Sequence, residues 1–267
     1  MKAIAHWGIV GGGMLGMTLA WELAKAGHRV SLFEASSEAG GLASPWRLGD
    51  IIWDRHYHVT LLSDTALRGL LAELDLDREM KWSTTRTAVY WNGALHPFSS
   101  AFDFARFPLL NPIEKLRFGA GIYRASRLRS PALLDGLTLE EWLTRISGKA
   151  VFNKIWLPLL RSKLGEDYRS TSASFIWATI QRMYAARRSG LRAELFGYLP
   201  GGYARLLETF VAALRSRGVG VYLNAAVHRV APAPDGLVEI EFASGATDRF
   251  DQVVISVPAP IAMPTSA

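Results

Sequence analysis

Gly11, Gly13 and Gly16 stand in the run GGGMLG, and their spacing suits a turn that cradles a phosphate on backbone N–H groups. Gly11 permits the tight turn. Gly13 brings no Cβ between the backbone and a pyrophosphate, and Gly16 lets a following helix pack closely on a strand. Farther on stands Glu34, a carboxylate able to accept both hydroxyls of an adenosine ribose. It would repel a 2′-phosphate, which disfavours NADP. FAD and NAD both carry such a ribose, so these residues alone leave the choice between them open. His56 and His58 are two apart and would share one face of a strand. They read either as hydrogen-bonded structural histidines or as a metal pair that lacks an obvious third ligand nearby. No Ser-His-Asp set and no convincing carboxylate pair stands out. The absence of cysteine removes disulfides, thiolate metal sites and cysteine nucleophiles.

The elements around the glycines have the order such a turn requires. Ile4 to Val10 is an apolar run of strand length. After the glycines, Leu15, Leu19 and Leu23 recur every four residues beside Ala20 and Ala24, which predicts a helix burying that face. Gly27 ends it, and RVSLFE reads as a second strand. Asp64 is placed to cap a helix over DTALRGLLAELDL. Asn92-Gly93 centres a hairpin in RTAVYWNGALHPF, which together with WSTT predicts part of a substrate-side sheet. Residues 102 to 188 are mostly helical and interrupted by prolines. Within them Arg117, Arg124 and Arg127 share one side of a helix whose other side carries Phe118, Ile122 and Ala125. That pattern fits a helix lying on a membrane surface, or more commonly a core-packed helix with a wet basic face. Pro200-Gly201-Gly202 precede a helix with Leu206, Leu207, Phe210 and Leu214 on its buried side. A strand over VGVYLN, a β-meander and a buried strand over QVVISVP follow.

Composition sets outer bounds. The 267 residues are 49% hydrophobic and 20% charged, as in an ordinary core-forming protein. The formal charge is +6, with much of the excess between Arg106 and Arg192. A basic middle suits anionic headgroups, an anionic substrate or simply a solvated surface. No zinc-finger spacing, helix-turn-helix signature or basic–aromatic repeat points to nucleic acid. The amino-terminal run superficially resembles a signal peptide, but His6 interrupts it and the glycine spacing explains it better. No stretch reaches the roughly 18 uninterrupted apolar residues of a span. Lack of cysteine fits a reducing cytoplasm. With the basic middle, the expected location is cytoplasmic, with peripheral contact at the inner membrane face left open.

Gly40-Gly41, a few residues beyond Glu34 in EASSEAGGLAS, carries a resemblance. The chain resembles the flavoprotein superfamily of protoporphyrinogen oxidase, monoamine oxidase, phytoene desaturase and UDP-galactopyranose mutase. The match covers residues 4 to about 260 and is most specific at 8–41 and 198–257; KLGEDYRSTSASFIWATIQRM also resembles bacterial relatives of protoporphyrinogen oxidase. The resemblance implies an α/β fold: a Rossmann-like FAD-binding domain, parallel sheet plus β-meander, with an inserted, mainly helical substrate or cap region. It implies an FAD domain at 1–78 and 198–267 and a cap region at 79–197. It places Gly11, Gly13, Met14, Leu15 and Gly16 on the pyrophosphate, Glu34 on the ribose, Gly40, Gly41 and Leu42 along the linker, and Val227 on the adenine through its backbone. Family members often carry Arg or Lys where this chain has Leu42. His58 matches a histidine that several members hold near the flavin ring. Family members also continue well beyond the position of Ala267, so the resemblance implies an incomplete member, with a partner chain as one source of the rest.

The function implied is an FAD-dependent oxidoreductase that dehydrogenates a C–N or C–C bond of an apolar or amine small molecule, with no general base named. A mutase-type isomerase acting on a sugar nucleotide, a non-catalytic nucleotide-binding or interaction subunit, and an NAD-binding module remain open alternatives.

Overall fold

The structure is a computed structural model that describes residues 4–56, 59–187 and 195–262. His58 lies outside the described residues. The chain forms two compact units, one of residues 1–59, 66–81 and 198–267, the other of residues 60–65 and 82–197.

The first unit is built on a four-stranded parallel sheet. β1 (His6–Val10) pairs with β2 (Arg29–Phe33), and α1 (Met14–Lys25) connects them. Parallel neighbours cannot be joined by a tight turn, so a helical crossover has to intervene. Later in this unit come β3 (Pro45–Leu48), β4 (Ile51–Asp54) and α2 (Thr65–Glu73). α9 (Gly202–Ser216) leads into β10 (Gly220–Tyr222), which adds to the outer side of β2. A meander follows: β11 (Val227–Pro232), β12 (Val238–Phe242) and β13 (Thr247–Phe250). β14 (Gln252–Ile255) returns to β1, giving the order β10-β2-β1-β14. A short α10 (Ala259–Ala262) ends the described chain.

Two expectations change here. α1 is a helix, but Gly16, Met17, Ala20 and Trp21 form its buried face, while Leu15 is exposed and Leu19 and Leu23 are only half-buried. The face that α1 turns to β2 and α9 carries these residues, with Trp21 meeting Phe210 of α9 edge-on, and Leu15 is left outside. β14 is an edge strand with half-exposed side chains, not a buried one, because only β1 flanks it. α9 buries Leu206, Leu207, Phe210 and Leu214 as its periodicity requires.

The second unit contains β5 (Thr60–Leu61), β6 (Lys81–Thr84), the hairpin β7 (Ala88–Trp91) and β8 (Ala94–Pro97), and β9 (Leu195–Tyr198). The hairpin turns on Asn92 and Gly93, both at positive φ, as a primed turn demands. It stands as its own two-stranded sheet, and WSTT joins the β5-β9-β6 sheet instead, contrary to the expectation of one shared sheet. The helices are α3 (Ala101–Arg106), α4 (Pro112–Arg127), α5 (Leu139–Ser147), α6 (Lys149–Val151), α7 (Leu157–Leu164) and α8 (Ala173–Arg187). Their core centres on Phe107, Leu139, Leu143, Phe152 and Leu160. Gly121 lets α4 approach α5 closely: a Cβ there would stand 2.9 Å from the carbonyl oxygen of Ile146. Among the described residues, no helix is long and apolar enough to cross a membrane.

Candidate functional site

The carboxyl ends of β1 and β2 deliver the glycine turn and Glu34 to the same place, the usual position for a ligand crevice in a parallel sheet. Gly11 takes φ +109°, a conformation that L side chains avoid, and its N–H donates to the Phe33 carbonyl at 2.8 Å. Gly16 lies so near this turn that an added Cβ would overlap the carbonyl oxygen of Gly11. Gly13 is the N-cap of α1 and makes no side-chain cap. No acidic side chain occupies the first turn, so its N–H groups and the positive end of the helix dipole face outward. Among the described residues, the only atom within 4 Å of a Cβ built on Gly13 is the Gly41 Cα, at 4.0 Å. That open cradle fits a diphosphate.

Glu34 turns toward the cradle. Its Oε2 accepts the Gly12 N–H at 2.7 Å, and its Oε1 accepts the Ser36 N–H at 2.9 Å. A Cβ on Gly12 would stand 2.8 Å from the Glu34 Cβ, so the middle glycine of the run matters as much as its neighbours. Its signal in the sequence was its place between two glycines that already had assigned roles.

Gly40 and Gly41 come to the same turn from the other side. The Gly40 N–H donates to the Gly12 carbonyl at 2.8 Å, and Gly13 and Gly40 pair like parallel strands. Gly41, at φ +56°, has its Cβ direction 3.2 Å from the Gly13 Cα, so any side chain would separate the segments. Met14 is half-buried, and Leu15 and Leu42 are exposed. α9 supports the pair from behind, with Leu207 packed where a Gly40 side chain would stand. α9 is in turn anchored by Asp54, whose Oδ1 accepts the Tyr203 N–H at 2.9 Å.

The end of β10 completes the crevice. Glu34 N–H donates to the Tyr222 carbonyl at 2.9 Å, and Ala225 N–H donates to the Glu34 carbonyl at 2.8 Å. These bonds set the start of β11 beside Glu34. A cavity of about 570 Å³ opens there, lined by Gly11, Phe33, Glu34, Val227, Arg229 and Val257 among others. Its size lies within the range of small-molecule and cofactor pockets. The register of β11 shifts between Val227 and Arg229, so the ladder is irregular where Val227 meets the cavity. Ser256, which the sequence did not single out, bonds through Oγ to the carbonyl oxygens of Val10 and Gly11 at 3.1 and 3.0 Å. It holds the strand-to-turn junction from below. Phe33 stacks on Tyr222 at 5.2 Å and meets Phe242 and Phe250 edge-on, which fixes the floor behind the cavity.

Gly11, Gly13, Gly16, Glu34, Gly40, Gly41 and Val227 thus converge on one crevice. The family model for flavin containing amine oxidoreductase matches residues 15–265. The 15-cis-phytoene desaturase of Synechococcus elongatus is 23% identical over 266 residues, covering 92% of this chain and 55% of its own length. The carotenoid phi-ring synthase of Streptomyces griseus is 26% identical, covering 93% of this chain and 51% of its own. Putrescine oxidase solved with bound putrescine superposes with a TM-score of 0.70 at 20% identity, covering 96% of this chain and 58% of that one. At such identity the structural likeness speaks for the fold. The chain spans about half the length of these curated relatives.

Proposed function

The chain belongs to the family of flavin containing amine oxidoreductases, whose cofactor is FAD, and from that membership we propose that the crevice beside Glu34 holds the adenosine diphosphate half of FAD. In this reading the N–H groups at the start of α1, those of Met14, Leu15 and Gly16, receive the diphosphate. Gly11 and Gly13 keep the turn free of side chains. Each Glu34 oxygen already accepts one backbone N–H, which leaves it a lone pair for one ribose hydroxyl. Gly40 and Gly41 run along the linker, with Leu42 contributing no charge, and Val227 meets the adenine through its backbone.

For the whole protein we put forward dehydrogenation of a C–N or C–C bond in an apolar or amine substrate, the reading that family membership supports best. FAD, when bound, supplies the hydride acceptor. The described residues contribute anchoring: they fix the adenosine end, and so the reach of the rest of the cofactor.

The observation that carries the reading is the pairing of Gly40 with Gly12 and Gly13, together with the bond from the Gly12 N–H to Glu34, which lines an open cavity. The test is a visible spectrum of the purified chain, followed by acid release and identification of the bound flavin. Flavin bands and FAD are expected, and Glu34→Ala is expected to weaken FAD binding roughly 10- to 100-fold through loss of charge-assisted hydrogen bonds. A colourless protein that binds NAD but not added FAD would overturn it.

A further inference from the structure

We infer that a second cavity, between the end of β10 and the meander, is a binding site for a small planar aromatic ring that carries a cationic nitrogen. The cavity measures about 430 Å³, within the range of small-molecule pockets. Phe33, Tyr222, Phe242 and Asp248 are on its lining. Phe33, Ala225 and Ala226 also line the crevice beside Glu34, so they form the partition between the two cavities. The side chains of Tyr222 and Asp248 lie on the far side of that partition and have no part in the adenosine site.

The Tyr222 ring is held as a platform. β10 is an edge strand of the parallel sheet, paired with β2 alone. Gly220 lies two residues before Tyr222, on the same face of the strand. A Cβ on Gly220 would stand 2.8 Å from the Tyr222 Cε2 and 3.0 Å from its Oη, so the glycine lets the ring lie back along the strand. On one face the ring stacks on Phe33, with centroids 5.2 Å apart and 17° between the planes. Tyr222 is still 51% exposed. An aromatic ring fixed on one face and open elsewhere can receive another planar ring by stacking, and its π face attracts a cation.

Asp248 sets the sign of the ligand. It is the one charged side chain among the described residues that line this cavity. Its Oδ1 accepts the Arg249 N–H at 2.8 Å, which leaves Oδ2 for a ligand. The Arg249 guanidinium does not neutralise it, being held by Asp235 and Glu239 at 2.9 and 3.0 Å. Burial, then the charge of Arg29, holds the nearby His6 imidazole below its ordinary pKa, so at neutral pH it too leaves the carboxylate uncompensated. A planar aryl cation satisfies both features at once, stacking on Tyr222 while its nitrogen donates to Oδ2. An aryl anion would be repelled by Asp248, and an aliphatic cation would forgo the stack.

The experiment is isothermal titration calorimetry of the full chain, as purified, with benzamidine. This probe is planar and cationic, and it has no C–H beside nitrogen for a flavin to oxidise. Saturable millimolar or tighter binding is expected, with none of benzoate and several times weaker binding of cyclohexanecarboxamidine. Asp248→Asn is expected to weaken benzamidine about tenfold or more, through loss of the charge-assisted bond. Tyr222→Leu is expected to weaken it severalfold. Circular dichroism of both variants checks that they fold, and the benzoate comparison needs no variant. Saturating FAD is expected to leave benzamidine binding in place, because the adenosine crevice is a separate cavity. The heat of binding does not depend on flavin content, so a failure here leaves the FAD reading untouched. No saturable binding at millimolar benzamidine, equal binding of benzoate, or folded variants that bind as the parent does would each overturn the proposal. So would displacement of benzamidine by FAD, since the probe would then sit in the crevice beside Glu34.

Discussion

At the residue scale Gly13 and Gly16, three positions apart in the motif, behave oppositely. A Cβ on Gly16 collides with backbone, the Gly11 carbonyl, which cannot swing aside as a side-chain end can. Gly16→Ala is therefore expected to cost more than about 3 kcal/mol, as overpacking that moves main chain does. Among the described residues, a Cβ on Gly13 meets only one atom, at ordinary contact distance. Gly13→Ala should cost about 1 kcal/mol or less of stability as a poorer N-cap, yet weaken FAD binding by crowding the cradle. Thermal melts with and without FAD check the pair. The idea fails if both variants lose stability alike, or if Gly13→Ala binds FAD as the parent does. Spacing alone picked out Gly11 and Gly16, whose positive φ and main-chain contact only glycine meets, while the need at Gly13 would come from the proposed ligand. Gly12 was marked only by its place between two glycines, and Ser256 was not legible: their partners, Glu34 and the Val10 and Gly11 carbonyls, are set by the return of distant chain.

Whole elements carry a second layer of support. Asp54 on β4 satisfies the Tyr203 N–H at the start of α9, and α9 backs Gly40 through Leu207. Asp54→Ala should destabilise by about 1 kcal/mol, as loss of a helix cap does, with Asp54→Asn largely restoring it. Urea unfolding of the three proteins measures this. In α4, the Lys154 ammonium and then the Asn111 N–H hold the Glu114 carboxyl below the usual carboxylate range. A carboxyl depressed on folding stabilises above its unfolded value, about 4.3, and that stability is lost as pH falls through the lower folded value. Lys154→Met removes the main cause, so the pH dependence of unfolding below about pH 4.5 should flatten relative to the parent. An unchanged slope in acid titrations would refute the assignment. Periodicity located α9, its buried leucines and the Asn92-Gly93 hairpin well, since those signals are local. It misjudged the buried face of α1 and the burial of β14, because both depend on which neighbour lies alongside, and periodicity does not carry that information.

At the scale of the whole molecule, every residue assigned to the cofactor lies in the unit formed by residues 1–59, 66–81 and 198–267. A ligand that binds only the native state stabilises by about 2.7 kcal/mol at a hundred times its Kd. For a domain of this size that corresponds to roughly 5–10 °C in Tm. Asp54→Ala and Lys154→Met fall in different units and so mark them separately in differential scanning calorimetry. The transition lowered by Asp54→Ala is expected to rise by that amount with FAD, and to rise little with NADP, whose 2′-phosphate would face the Glu34 carboxylate. The transition lowered by Lys154→Met should stay where it is, because no described residue of that unit lines the cavity beside Glu34. If FAD moved the Lys154 transition and left the Asp54 one in place, the cofactor would bind through the helical unit, and the glycine cradle would have to be given another ligand.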